Sequence, residues 1–287
     1  MQTTNAPDYV GLVAIIVSYI LIILLVTPFK RLFFINDVNI SFPHAEHERV
    51  PVFMNFVYAL FIPLGVLILI NILLLRSSAH KHEATYLPFL ISITFTALLT
   101  DILKNAVGRP RPDLLARCVP ASDAPMNVPV DISVCTAPHN THLLQDGWRS
   151  FPSGHSSFSF SGLGFVALYF AGQLGVFRTG SRDLGRFLVF LAPLVGAAMI
   201  AISRCEDYRH DVYDVCVGSA LGMTVAYWSY RRYWPKLSSA KCSEPYPLPT
   251  REGMNGDSNA VWQRVRDEEE ASADVGYEIQ PLQTEND

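Results

Sequence analysis

The sequence lacks the patterns that build metal sites. Five cysteines occur among 287 residues, with no CxxC pair and no Cys/His cluster, which argues against a structural zinc site. The loops hold no carboxylate cluster of the kind a calcium or magnesium ion needs. Charge is scarce as well, at 17% of residues, and two long stretches avoid it altogether, residues 10–26 and 52–75. A bilayer-spanning helix takes about 20 predominantly apolar residues, and a soluble core would have to bury both uncharged runs at once. No basic residue precedes the first run and no small-x-small cleavage site follows it, so it does not read as a signal peptide. No internal repeat is present.

Four further apolar segments follow, at residues 86–103, 156–172, 187–202 and 215–230. The fourth segment of the six is rich in Ser, Gly and Phe, a composition that permits close helix contact inside a membrane. The expected fold is therefore an all-α integral membrane protein, a six-transmembrane-helix bundle over residues 1–234. Pro235 stops the last helix. Residues 235–287 are polar and acidic, with Asp267 to Glu270 reading DEEE; such a segment cannot bury enough apolar surface to fold alone and is expected to be a disordered tail. The tail carries much of the acid behind the net charge of -4, which leaves basic loops suited to an anionic substrate. No nucleic-acid partner is expected. The longest loop, residues 105–151, is rich in Pro, Asp and Arg and contains Cys118 and Cys135. These two could pair if the loop faces an oxidising compartment, or be unrelated thiols.

With six helices the chain termini share one face, and the ends of the first, third and fifth helices share the other. Three unusual polar segments collect on that second face. Lys104 to Pro112 reads KNAVGRPRP, Phe151 to His155 reads FPSGH, and Ser203 to Asp214 reads SRCEDYRHDVYD. Lys104, Arg111 and Arg204 place three cations near one spot, and arginine offers a planar fork of donors that matches phosphate oxygens. Ser153 and Gly154 stand at a helix start, where free N–H groups and the helix dipole favour an anion. His210 and Asp214 are spaced i, i+4, a spacing that shares one helix face, and a carboxylate behind a histidine orients its ring. His155 supplies a second imidazole as an acid. Taken singly, each feature has a plain reading: basic residues at helix ends are often interface anchors, and a His–Asp pair is often a structural hydrogen bond. Their convergence favours chemistry. Asp113, Arg109 and Arg117 could shape the loop or contact a headgroup but read rather as solvated loop charges, His44, His47, His139 and His142 as ordinary loop histidines, and Asp101 as a local partner of Lys104.

On these residues the chain resembles the type 2 phosphatidic acid phosphatase family, the membrane lipid phosphate phosphatases. Their motifs K-x6-R-P, P-S-G-H and S-R-x5-H-x3-D appear complete as Lys104-x6-Arg111-Pro112, Pro152-Ser153-Gly154-His155 and Ser203-Arg204-x5-His210-x3-Asp214. The segment after the first helix, with Asn36-Asp37 and Ile40-Ser41-Phe42-Pro43-His44, is similar to the fungal and plant branch. The resemblance implies that His210 attacks phosphorus and becomes a phosphohistidine, with Asp214 orienting it. It implies that His155 protonates the leaving oxygen and then activates water. Lys104, Arg111, Arg204, Ser153 and the Gly154 N–H would hold the phosphoryl oxygens, without magnesium or another cofactor.

The implied substrates are phospholipid phosphates in the bilayer: phosphatidate, diacylglycerol pyrophosphate or lysophosphatidate. The same motifs leave open a polyisoprenyl-pyrophosphate or sphingoid-base-phosphate phosphatase. A non-catalytic lipid-binding relative is the reading from another class, but it should have lost the nucleophile or a cation. With the motif cations Lys104, Arg111 and Arg204 set aside, a modest excess of Lys and Arg on the terminal face puts both termini in the cytosol, and the family resemblance implies the same orientation. The active site is then expected on the lumenal or extracellular face of an endomembrane or the plasma membrane.

Overall fold

The structure, a computed structural model, describes residues 5–247. Six long helices run through it: α1 (Ala6–Leu25), α2 (Val52–Leu74), α3 (Ala79–Val107), α6 (Gly154–Leu174), α7 (Leu184–Glu206) and α8 (Val212–Arg231). Two short helices, α4 (Leu114–Cys118) and α5 (His142–Gln145), lie in the loop between α3 and α6. No strand occurs among the described residues, only the isolated bridges Phe33–Val130 and Pro120–Cys135. Five helices, α1, α2, α3, α6 and α7, are long and apolar enough to cross a membrane. The sixth, α8, has 20 residues and packs against α6.

The elements follow from local chemistry. α1 buries none of its side chains inside the protein, as expected of a helix whose solvent is lipid. Ser78 caps α3 and Ser153 caps α6, each side chain accepting a first-turn N–H, a device that contributes about 1 kcal/mol. Pro88 inside α3 lacks an N–H, so the carbonyl of Ala84 loses its helical donor. The indole Nε1–H of Trp234 donates to that carbonyl at 2.9 Å. α6 is the hub, packed on α3, α7 and α8. Its serines bond across to α3, Ser161 with Ser92 at 2.7 Å and Ser157 with Thr100 at 2.8 Å. Gly222 of α8 lies where an added Cβ would come 2.1 Å from the Ser157 carbonyl oxygen, so only glycine permits this close approach of α6 and α8.

The long loop is an ordered cap over one end of the bundle. Phe33, Leu114, Val130, Leu144 and Trp148 form a small core there, and Cys118 and Cys135 are joined as a disulfide. The Trp148 indole N–H donates to the Arg31 carbonyl at 2.9 Å. At the opposite end the chain does not unfold at residue 235. Residues 235–247 lie on the bundle: Lys81 Nζ donates to the Ser243 carbonyl at 2.8 Å, Tyr246 N to the Tyr233 carbonyl at 2.9 Å, and Cys242 is buried. The Ser243 carbonyl satisfies the Lys81 side chain and the Tyr246 N–H satisfies the backbone just past α8, pairings that composition does not reveal. The remainder of the expected tail lies outside the described residues.

Candidate active site

α3 ends at Gly108, which takes the left-handed conformation (φ 56°); a Cβ there would lie 1.9 Å from the Phe29 carbonyl oxygen. This tight stop turns the chain so that Arg109 and Arg111 point back to the bundle end. α6 begins beside it, and α7 passes through a short turn into α8. Between them is a cavity of about 290 Å³. Six of the expected residues line it: Lys104, Arg111, Gly154, His155, Arg204 and His210. The other two stand behind the wall. Asp214 is fully buried beneath His210. Ser153 is also fully buried, its hydroxyl accepting from Ser156 and its N–H donating to the Asp214 carbonyl at 2.9 Å.

His210 and Asp214 do not share a helix face as their spacing suggested. His210 precedes the N-cap residue Asp211, and Asp214 is the third residue of α8. The capping box between Asp211 and Asp214 folds the turn so that His210 Nδ1 lies 3.5 Å from Asp214 Oδ2. The other ring nitrogen, Nε2, is 3.3 Å from Arg111 Nη1. Arginine can only donate, so Nε2 accepts. The neutral ring therefore carries its proton on Nδ1, toward the carboxylate, and keeps a lone pair on Nε2. Burial, and then the charges of Arg111, Lys104 and Arg204, hold the His210 pKa well below its ordinary 6.5. His155 makes the complementary contact: its Nε2 is 3.1 Å from the Val50 carbonyl oxygen, a pure acceptor, so that nitrogen donates.

The cations are held by a frame the sequence did not reveal. Arg111 donates through Nε and Nη2 to the carbonyl and carboxylate of Asp146, each at 2.9 Å. Arg117 bridges Asp113 at 2.9 Å and Asp146 at 3.3 Å. Burial works to raise the Asp146 carboxyl, but Arg111, Arg117 and Lys104 outweigh it and hold the group far below the usual carboxylate range. Arg109 donates to Asp214 at 2.7 Å and Asp211 at 2.8 Å, while Ser150 Oγ–H donates to the second Asp214 oxygen. Arg204 reaches Glu48 at 3.0 Å and Asp207 at 3.3 Å.

Several expectations are thereby corrected. Asp113 and Arg117 are buried, not solvated, and Arg109 is tied to the site carboxylate. His44 is a partner of Asp113 at 2.7 Å, and His142 lines the cavity. Asp101 pairs with Arg149 at 2.9 Å, while Lys104 Nζ donates to the Arg149 carbonyl at 2.6 Å. Low-dielectric surroundings demand a partner for every charge, and the loop geometry decides which. The only sequence signal for these residues was the density of Arg and Asp in a Pro-rich loop.

An apolar helical bundle closed at one end by a cation-lined cavity, with an accepting histidine nitrogen inside it, is the architecture of a membrane protein with a polar site at one face. The chain belongs to the PAP2 superfamily, whose model matches residues 85–238. It is 43% identical over 230 residues to the Probable diacylglycerol pyrophosphate phosphatase 1 of Schizosaccharomyces pombe, covering 80% of this chain and 81% of that one. It is 39% identical to the Diacylglycerol pyrophosphate phosphatase 1 of Saccharomyces cerevisiae (84% and 83% covered). It is 31% identical to Lipid phosphate phosphatase 2 of Arabidopsis thaliana (79% and 77% covered). Among solved structures, that of Aquifex aeolicus LpxE aligns over 62% of this chain and 81% of its own, at 20% identity and a TM-score of 0.35.

Proposed function

We propose that the protein is a six-span membrane phosphatase that hydrolyses lipid phosphates, namely phosphatidate, diacylglycerol pyrophosphate or lysophosphatidate, through a phosphohistidine. The observation that carries this reading is the accepting Nε2 of His210, held 3.3 Å from Arg111 with Asp214 behind the ring. The names of the fungal relatives support diacylglycerol pyrophosphate, and that of the plant relative supports lipid phosphates as a class.

Nε2 attacks phosphorus as the bond to the leaving oxygen breaks. His155 acts as the imidazolium: it gives one proton to the leaving oxygen and is left as the neutral ring. His155, now an acceptor, takes a proton from water. The hydroxide so formed attacks the phosphohistidine, the N–P bond breaks, and inorganic phosphate leaves. Asp214 balances the charge that grows on the His210 ring. Lys104, Arg111, Arg204 and the first-turn N–H of Gly154 stabilise the equatorial oxygens, since phosphoryl transfer depends mostly on positioning and charge. Ser153 serves the same anion indirectly, by capping α6. Three fixed cations take the place that magnesium holds in other phosphoryl-transfer sites, and no cofactor is required.

Both termini lie in the cytosol and the cavity opens on the lumenal or extracellular side. The Cys118–Cys135 bridge in the cap supports this orientation, because disulfides persist in oxidising compartments. The test is phosphate release by the purified full chain in detergent micelles, from a panel of lipid phosphates, with and without EDTA. Release from none of them overturns the reading.

A further inference from the structure

One carboxylate occupies the cavity wall in a way the phosphatase chemistry does not use. Glu48, in the segment between α1 and α2, places Oε2 3.0 Å from Arg204 Nη1 and Oε1 2.7 Å from Arg209 Nη2. Arg204 belongs to the phosphate-holding set, whereas Arg209 has no part in it. Arg209 is buried and lines the cavity. Its Nε finds no hydrogen-bond partner among the described residues, and its other contacts are long: the Ala45 carbonyl at 3.4 Å and Asp113 at 3.8 Å. A buried guanidinium with an unused N–H has capacity for another acceptor.

The position of Glu48 relative to the reaction is informative. Two residues along, the Val50 carbonyl accepts from both His155 Nε2 and Arg204 Nη1, at 3.1 and 3.2 Å. The donor proposed to protonate the leaving oxygen therefore faces the segment that carries Glu48. His155 and Glu48 line the same cavity, and a leaving group protonated by His155 lies on the side that the Glu48 segment closes. A neutral diacylglycerol offers Arg204 and Arg209 nothing in exchange. A second phosphate offers oxygens of the same charge and reach as the carboxylate.

The geometry points to a second anion subsite, formed by Arg209 and Arg204 and bridged here by Glu48, that takes the inner phosphate of a pyrophosphate monoester. In that substrate His210 Nε2 bonds to the terminal phosphorus, and the bond from this phosphorus to the bridging oxygen breaks. The inner phosphate departs with the bridging oxygen and the proton from His155. Arg209 then holds the departing phosphate, and Glu48 returns when it leaves. Arg209 and Glu48 thus set the preference for pyrophosphate over phosphate monoesters.

This inference rests on the phosphatase reading, and the test separates the two. Phosphate release from diacylglycerol pyrophosphate and from phosphatidate is measured in the same micelles, and the ratio of kcat/KM values is compared across variants. Arg209→Gln is expected to lower that ratio about 10- to 100-fold, the worth of one hydrogen bond to a charged group. Arg209→Lys recovers part of it. Glu48→Gln raises the ratio, because it removes the competing carboxylate. Wild-type protein that hydrolyses neither lipid overturns the phosphatase reading itself. Hydrolysis of both, with a ratio that Arg209→Gln and Glu48→Gln leave unchanged, overturns the subsite alone. A readout on the wild-type chain covers the case of a variant that fails to fold. Methylenediphosphonate, whose P–C–P bridge resists cleavage, should inhibit phosphatidate hydrolysis at a concentration at least about tenfold below that of inorganic phosphate; equal potency overturns the subsite.

Discussion

Arg109 and Asp214, more than a hundred positions apart in the chain, meet at 2.7 Å, and the same guanidinium holds Asp211 at 2.8 Å. The Asp214 carboxylate beneath His210 is thus fixed from the α3 side of the site. Arg109 does not line the cavity, so it acts by positioning the carboxylate. Arg109→Ala should lower kcat about 10- to 100-fold, as expected when one hydrogen bond to a charged group is lost, with KM little changed. Arg109→Lys should restore part of the rate. Steady-state kinetics in micelles separate the two parameters; a rise in KM alone would make Arg109 a substrate contact instead.

Loss of the nucleophile removes the covalent route. His210→Ala should abolish turnover in a protein that still inserts and folds, and His155→Ala should cost about 10²–10⁴-fold, the usual contribution of one positioned acid. Phosphate release from well-folded samples checks both. Retention of more than a few per cent of activity by His210→Ala would transfer the role to another group.

Activity should persist in EDTA and be blocked by vanadate, which in five-coordinate form would mimic phosphorus between the proposed nucleophile His210 and the cations Lys104, Arg111 and Arg204. Titration of the purified protein with each reagent is sufficient. Activity that chelation removes and magnesium restores would refute the metal-free mechanism.

The acid limb of kcat/KM should fall below pH 6.5. That parameter reports the free enzyme, in which burial and the charges of Arg111, Lys104 and Arg204 keep His210 neutral to well below its ordinary value. The sign for stability follows from linkage. As pH falls through about 6.5, the unfolded chain binds a proton at this histidine before the folded one does. Stability from this group is therefore complete above that pH and declines below it. A pH series of kcat/KM is the measurement, and an acid limb centred at 6.5 or above that does not track the substrate phosphate's own ionisation, which lies at about 6, would contradict the assignment of the nucleophile.

Sidedness can be read by protease protection on sealed vesicles. With one tag after Asp287 and another beside Met126 in the cap, protease added to the cytosolic side should remove only the terminal tag. Cleavage at Met126 in intact vesicles would reverse the orientation and leave the chemistry untouched.

The six long helices and the residues of the three motifs were legible in the sequence, because both are local. Uncharged runs of about 20 residues report a lipid environment directly. Lys104 at the end of α3, Gly154 at the start of α6 and Arg204 at the end of α7 reach one cavity simply because their helix ends share a face. Tertiary structure decided the rest. Which residue holds Asp214 depends on how the cap folds over the bundle. So do the partnership of Asp101 with Arg149 rather than Lys104, and the entry of Glu48 between Arg204 and Arg209. These contacts join residues dozens to more than a hundred positions apart, through loops that carry no periodicity. A buried charge requires a partner, but the sequence cannot name it: many Asp and Arg side chains in those loops are chemically equivalent, and only the folded backbone brings one of them within 3 Å.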